Sequence, residues 1–435
     1  MTTKLRLAAN ARRPTLPWIA VPMLAATPAV ALQPLDEFIA AARERNPDAQ
    51  QARANLDEQN AAADFSLGKQ LPGVSARATY SRNQYEVQLT LPIPPEQTIL
   101  ITPHDQWTGN ATLTVPLVDL ANFWRISAAR TNAKSYERAV AATGLAVEGQ
   151  TVQDYYQLLA NLALVPTAVN YLEVSRENLR LTEAKLRAGA ATRLDVDRAL
   201  ADVEQQVQQL ASAKLQVALA ARALQSTTSI APDLSTAVEF TDDLHAEPDL
   251  STFESDLANV PSVAAASAAT RSAEQQADAQ KLALLPSIAG NFTEFTTNAP
   301  GFQPSHWYYQ ATINAIWAFD LTNVANIRGF DAAAAAARAK ELKARLNAGD
   351  AIHQYWNTVL ATIAQSRSAR AGRDASVHAA EQARVQYQAG TATQLDLLQA
   401  QRDAFRAEVT LLQTDANLLN ARAQLRLSAG RSLLR

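Results

Sequence analysis

Leu186-Arg187-Ala188-Gly189-Ala190-Ala191-Thr192-Arg193-Leu194-Asp195 recurs 201 residues later as Tyr387-Gln388-Ala389-Gly390-Thr391-Ala392-Thr393-Gln394-Leu395-Asp396, with six of the ten pairs identical. The same offset pairs Asp119-Leu120-Ala121-Asn122 with Asp320-Leu321-Thr322-Asn323, Ile126 with Ile327, and Gln153 with Gln354. Alanine matches alone would mean little in a chain with 89 alanines among 435 residues. Gly, Asp, Asn and Thr held in register over so wide a span mean duplication, and the two copies should build one set of elements twice.

Working outward from the doubled motif, each copy is preceded by a stretch with helical patterning and no helix-ending signal, 121–188 and 322–389, both 68 residues long. A helix of that size would be ~100 Å long at ~1.5 Å per residue, which suits a conduit better than a globular domain. Pro166 removes one hydrogen bond from the first and is expected to kink or split it. Gly189 and Gly390 end these helices and turn the chain back. The return helices, 192–225 and 393–427, carry coiled-coil spacing. In the first, Leu200, Val203, Val207, Leu210, Lys214, Val217, Ala221 and Leu224 step alternately by 3 and 4, and in the second Phe405, Val409, Leu412, Ala416, Leu419 and Ala423 do the same. Two antiparallel helical hairpins are expected, packed closely through alanine.

Upstream of each long helix lies a β-hairpin, 73–118 and 287–319. Trp307, Tyr309, Ala311, Ile313, Ala315, Trp317 and Phe319 alternate with His306, Tyr308, Gln310, Thr312, Asn314, Ile316 and Ala318, and Trp107, Gly109, Ala111, Leu113 and Val115 alternate with Thr108, Asn110, Thr112 and Thr114. Period two with aromatic residues at the ends and small apolar ones between is how a membrane strand reads. The partner strands are expected over 74–91 and 287–297, with loops at 92–106 and 298–305. A soluble hairpin with one buried face has the same alternation. Two hairpins are too few to close a barrel, so the membrane reading requires several chains. Opening helices at 35–71 and 250–285, each broken before Pro47 or Pro261 and each running into Pro72 or Pro286, complete the copies. The chain therefore divides into a first repeat, 32–230, a connector, 231–249, and a second repeat, 250–435.

Residues 1–31 hold Lys4, Arg6, Arg12 and Arg13 with no acid, then a mostly apolar stretch ending Ala29-Val30-Ala31. That order is an export signal, cleaved before Leu32. Its removal leaves 35 Lys and Arg against 42 Asp and Glu. No basic stripe tracks phosphates, so nucleic acid is not an expected partner. The chain has no cysteine, and its five histidines form no i, i+4 pair. Metal sites, cofactors and enzymatic catalysis are therefore not expected, since no nucleophile–base constellation or Gly-rich phosphate loop can be named. Outside the leader no uninterrupted apolar run reaches the ~20 residues of a spanning helix.

Helix, hairpin, very long helix, Gly tip and return helix, written twice in an exported chain, resembles the TolC-like outer-membrane efflux protein family. The most specific pieces are Leu35-Asp36-Glu37, Asn46-Pro47-Asp48, Gln70-Leu71-Pro72, Val115-Pro116-Leu117-Val118-Asp119 and the two Gly-tip motifs. The resemblance implies a mainly α fold with a β-barrel portion. Three chains would form a homotrimer, with twelve helices as an α-barrel and four strands per chain in a shared twelve-stranded transmembrane β-barrel in outer-membrane lipid. It implies a passive exit duct docked to a periplasmic adaptor and an inner-membrane pump in efflux or type I secretion. Family members close the periplasmic aperture with a tyrosine, an arginine and aspartates that bond between neighbouring hairpins. By motif match Tyr387 falls on the tyrosine, Asp195 on its aspartate partner and Asp396 on a lumen ring. Ala392 stands where the arginine is expected, which brings Arg193 into question as a substitute, and Gln399 replaces a second ring aspartate. Asp195 and Asp396 read equally as first-turn acids favoured by a helix N-terminus. Adaptor contacts are expected at Gly189, Gly390, Ala188, Ala389 and Thr391, and membrane rims at Trp107, Trp307, Tyr309, Trp317 and Phe319. The alternative is a soluble periplasmic coiled-coil scaffold or adaptor without a pore.

Overall fold

The computed structural model describes residues 32–92, 97–234, 240–319 and 321–434. The export signal read over 1–31 lies outside them. Helices α1 (Leu35–Arg45) and α2 (Pro47–Gly68) meet at Asn46. The Asn46 side chain accepts from the Asp48 amide at 2.9 Å and donates to the Thr227 carbonyl at 3.0 Å, so one residue starts α2 and ties it to the first repeat. Pro47 sits at N1, where a missing N–H costs nothing. Strands β1 (Gly73–Arg82), β2 (Val87–Leu91), β3 (Gln97–Thr102) and β4 (Asp105–Val118) follow, then α3 (Leu120–Arg187) and α4 (Arg193–Thr228). The second repeat has the short α5 (Leu250–Glu254), a 3-10 turn (Leu257–Asn259), α6 (Pro261–Leu282), β5 (Ser287–Thr297), β6 (Trp307–Ile316), α7 (Leu321–Ala389) and α8 (Gln394–Ser428). Where the first repeat opens on an eleven-residue helix, the second has one turn, because only Phe253 there is buried whereas α1 buries Phe38, Ile39, Ala41 and Ala42.

The two cores repeat the sequence offset. Leu158, Leu162, Val217, Ala220 and Leu224 lie in one buried cluster, and Val359, Ile363, Leu418, Ala421 and Leu425 lie in the other, each 201 residues further on. Pro166 does not split α3, which is continuous over 68 residues. Neighbouring elements hold it there: α3 packs on α2 and α6 along one part of its length and on α4 and α8 along another. One window of α3 has a mean hydropathy of 1.2 and would pass as a membrane span by composition, a feature missed in the sequence, yet 44% of it is buried.

The coiled-coil seams follow the rows expected only in part, with Val203, Val217, Leu224, Ala416 and Ala423 buried as read. In α4 the buried positions are Val196, Ala199, Asp202, Val203, Gln206, Ala213, Val217, Ala220, Leu224 and Thr228, while Leu200 and Val207 are 46% and 39% exposed. In α8 the seam runs through Leu397, Gln401, Ala404, Asp415, Leu418, Arg422 and Leu425, mostly one residue before the row read from the sequence. At Ala199 and Ala404 the close approach of the helices takes the smaller neighbour of Leu200 and Phe405. Buried polar members of α8 are paired from other elements: Gln401 accepts from Asn178 at 2.7 Å, and Asp415 accepts from Ser366 and pairs with Arg370 at 3.2 Å.

The strands form one antiparallel sheet in the order β1-β4-β5-β6. The strand expected over 74–91 is interrupted, because β2 and β3 form a separate two-stranded hairpin projecting from the turn between β1 and β4. Register decides the faces. Ala76, Ala111, Glu294 and Tyr309 share one row, and Val74, Leu113, Phe292 and Ala311 share another, all on one face. Ser75, Thr112, Thr293 and Gln310 lie on the opposite face. Gly109 fits because a Cβ there would come within 2.9 Å of the Thr296 methyl.

Candidate functional site

The two tips are built alike, and the doubled motif is the chemistry of a turn. Gly189 and Gly390 adopt φ of +74° and +77°, a region that glycine enters without strain. Around Gly189 the amides of Gly189 and Ala190 donate to the carbonyls of Leu186 and Lys185 at 3.0 and 2.8 Å, and around Gly390 those of Gly390 and Thr391 donate to Tyr387 and Gln386 at 3.2 and 2.9 Å. Each is a Schellman ending that satisfies the last carbonyls of a long helix. Thr192 and Thr393 then cap the return helices. Each hydroxyl accepts from the amide of the aspartate three residues on, at 3.3 and 3.2 Å, and the same carboxylates accept from the threonine amides at 2.9 and 3.0 Å. Sequence reasoning passed over both threonines, although Thr-x-x-Asp before an apolar run is a capping-box signal.

These contacts fix the state of the two aspartates. The backbone amide and then the hydroxyl of Thr192 hold the Asp195 carboxyl below its usual range, and the hydroxyl and amide of Thr393 do the same for Asp396. Both carboxylates are ionised near neutrality. Within the protomer Asp195 is not brought to Tyr387. The buried Tyr387 instead meets α3: its hydroxyl lies 3.4 Å from Thr182 Oγ1, its carbonyl accepts from Lys185 Nζ at 3.0 Å, and the same ammonium stands 3.7 Å over its ring. Lys185 was not singled out in the sequence, since nothing on α3 alone marks it. Arg193 pairs with Asp197 of its own helix at 3.2 Å, and Gln399 is exposed one turn beyond Asp396. Further contacts bridge the two hairpins: Gln394 donates to the Asp195 carbonyl at 2.8 Å and Arg402 to Asp202 at 3.0 Å. Ala188, Ala389 and Thr391 are exposed beside the two glycines.

Away from the tips, the connector is fastened at Arg422. Its Nη2 donates to Asp242 Oδ1 at 3.1 Å and to the His245 carbonyl at 2.7 Å, and Nη1 pairs with Glu247. Asp242, Asp243 and His245 bring three possible ligand atoms within 4.8 Å of one another, but the guanidinium already supplies the positive charge at Asp242.

At the other end of the molecule the apolar face of the sheet is open. Tyr309 is 69% and Ile313 76% exposed, with Trp107, Trp307, Trp317 and Phe319 also exposed. Tyr80, Trp107 and Trp307 lie at the loop end of this face, whereas Trp317 and Phe319 follow the far end of β6. The outer edges of β1 and β6 have no further partner strand among the described residues.

The family profile described as outer membrane efflux protein matches residues 38–228 and 253–431. No curated protein matches the chain by sequence. Among solved structures, the outer membrane protein VceC from Vibrio cholerae is 17% identical with a TM-score of 0.78, over 92% of this chain and 97% of that one. The CmeC outer membrane channel of Campylobacter jejuni is 17% identical with a TM-score of 0.77, over 92% and 86%. The Neisseria gonorrhoeae MtrE outer membrane channel, in its open state, is 19% identical with a TM-score of 0.74, over 92% and 89%. The fold is shared with all three.

Proposed function

The chain belongs to the outer membrane efflux protein family, and from that premise we propose that it is the outer-membrane exit duct of an efflux or type I secretion apparatus. Three copies pool twelve strands into one barrel in the outer membrane, and their helical hairpins continue as a tunnel through the periplasm. The observation that carries this reading is the register. It gathers the apolar side chains of four strands on one face, and that face is left exposed with both sheet edges unpaired. Open edges are not tolerated in hydrocarbon, so closure with further copies is the physical solution. The tips at Ala188, Gly189, Ala389, Gly390 and Thr391 dock on a periplasmic adaptor linked to an inner-membrane pump. Tyr387, Asp195, Asp396, Arg193 and Gln399 surround the aperture, where three copies of Asp396 would favour cations.

A soluble scaffold would instead hide the apolar face under a helix, and the exposure of Tyr309 and Ile313 speaks against that. Membrane fractionation separates the two readings. The duct predicts a heat-stable trimer in the outer-membrane fraction, and a monomer found only in the periplasmic extract would overturn it.

A further inference from the structure

The polar face of the sheet is neutral apart from one residue. Among the described residues of β1, β4, β5 and β6, the charged side chains are Arg77, Arg82, Asp105 and Glu294. Arg82 pairs with Asp105 at 3.1 Å, and the register places both on the apolar face, as it does Glu294. Arg77 alone is on the polar face, exposed and without a carboxylate partner. Its ladder row runs Arg77, Asn110, Phe295, Tyr308. Phe295 and Tyr308 stack there with centroids 5.1 Å apart and planes at 19°. The rest of this face is mostly Ser, Thr, Asn and Gln, with Ala289 and Ile316 at its far end, so the stacked pair has no apolar neighbours on β5 and β6 nearby. On β4 this face is also the more sheltered one: Asn110, Thr112 and Thr114 are half-buried while Trp107, Ala111 and Leu113 are exposed, and Tyr308 of β6 is half-buried beside them.

We propose that Arg77, Phe295 and Tyr308 form a lumen-side binding row for anionic aromatic solutes, present three times in the closed barrel. The inference rests on the duct reading. An aromatic ring lies on the Phe295–Tyr308 stack, and its acidic substituent meets the guanidinium two strands away, a reach of ~10 Å at ~4.8 Å per strand. No acid on the same face competes for Arg77. The barrel end thereby selects with the opposite sign from the aspartates of the tip, so cargo leaving the tunnel meets a step that favours negative charge.

The test uses the full-length trimer in planar lipid bilayers, with 1-naphthalenesulfonate, methanesulfonate or phenyltrimethylammonium added on the side of the loops between strands. The aromatic anion should reduce the current at lower concentration than either of the other probes. Arg77→Ala and Phe295→Ala should each raise its half-blocking concentration by about fivefold. Arg77→Lys, which keeps the charge, should retain most of the block. Equal block of wild type and Arg77→Ala, or equal potency of the three probes, would overturn the row while leaving the duct intact. A protein that conducts no ions at all would overturn the duct and this inference with it.

Discussion

One lysine joins the two hairpins at the tip. Lys185 uses its ammonium twice on Tyr387, once on the carbonyl and once on the ring, and a contact of the second kind contributes ~0.5–2 kcal/mol depending on desolvation. Lys185→Ala removes both contacts and should loosen α3 from α7, raising single-channel conductance of the reconstituted trimer. Tyr387→Phe keeps the ring and the carbonyl and should change conductance far less. Equal effects would mean that the Thr182 hydroxyl contact, rather than Lys185, holds the tip. The capping boxes give a second prediction. Thr192→Ala and Thr393→Ala should each destabilise the first turn of a return helix by ~1 kcal/mol, seen as faster amide exchange confined to that turn. The pH dependence has a definite sign. Asp195 and Asp396 have folded pKa values below the unfolded value of ~3.9, so their contribution is fully present above that pH and disappears as pH falls through the folded values. Exchange at both tips should be protected down to about pH 4 and rise below it, and protection lost already near pH 6 would contradict the caps.

At the scale of elements, buried polar groups decide how the connector and seams are placed. Arg422 is 6% exposed and faces two carboxylates that are as buried as it is. Removing one member of such a cluster leaves uncompensated charge, so Arg422→Ala should destabilise by ~3–5 kcal/mol, measured by denaturant unfolding. Replacing Arg422, Asp242 and Glu247 together by Met, Asn and Gln should recover much of the loss. The same residues explain what the sequence hid. Gln401, Asp415 and Arg422 occupy seam positions in α8, and a row chosen for apolar residues skips them in favour of Phe405, Ala416 and Ala423. Their partners, Asn178, Ser366, Arg370 and Asp242, come from other elements, so no reading of one helix finds them. By contrast, Gly189, Gly390 and the alternation of β6 act through local backbone geometry, and the sequence alone located them. The β2–β3 hairpin was overlooked because Val87, Leu89 and Leu91 keep a period of two, although their phase is shifted by one from Val74, Ala76, Ala78 and Tyr80 past the break at Asn83.

For the whole molecule, the decisive quantity is the direction of the two sheet edges. Four antiparallel strands leave β1 and β6 running opposite ways, so in the proposed trimer β6 of one copy would pair antiparallel with β1 of the next and the ring would close on an even number of strands. In the proposed ring closure would bury no apolar face, and lipid would cover it. An arginine near the middle of that face should therefore cost ~2–4 kcal/mol per copy, which three copies multiply. Ile313→Arg should abolish outer-membrane trimers while Gln310→Arg, on the polar face of the same strand, leaves them. The edges can be tested directly, since the chain has no cysteine of its own. Cysteines placed pairwise along the outward positions Val74, Ala76 and Ala78 of β1 and Ala311, Ile313 and Ala315 of β6 should, upon oxidation in membranes, give covalent trimers for the pairs in one register and little product for the rest. A ladder that ends at three copies fixes the twelve-stranded ring. Cross-links that continue into higher species, or that form equally at every offset, would mean the edges meet by collision, and the strands would then have to be covered in some other way.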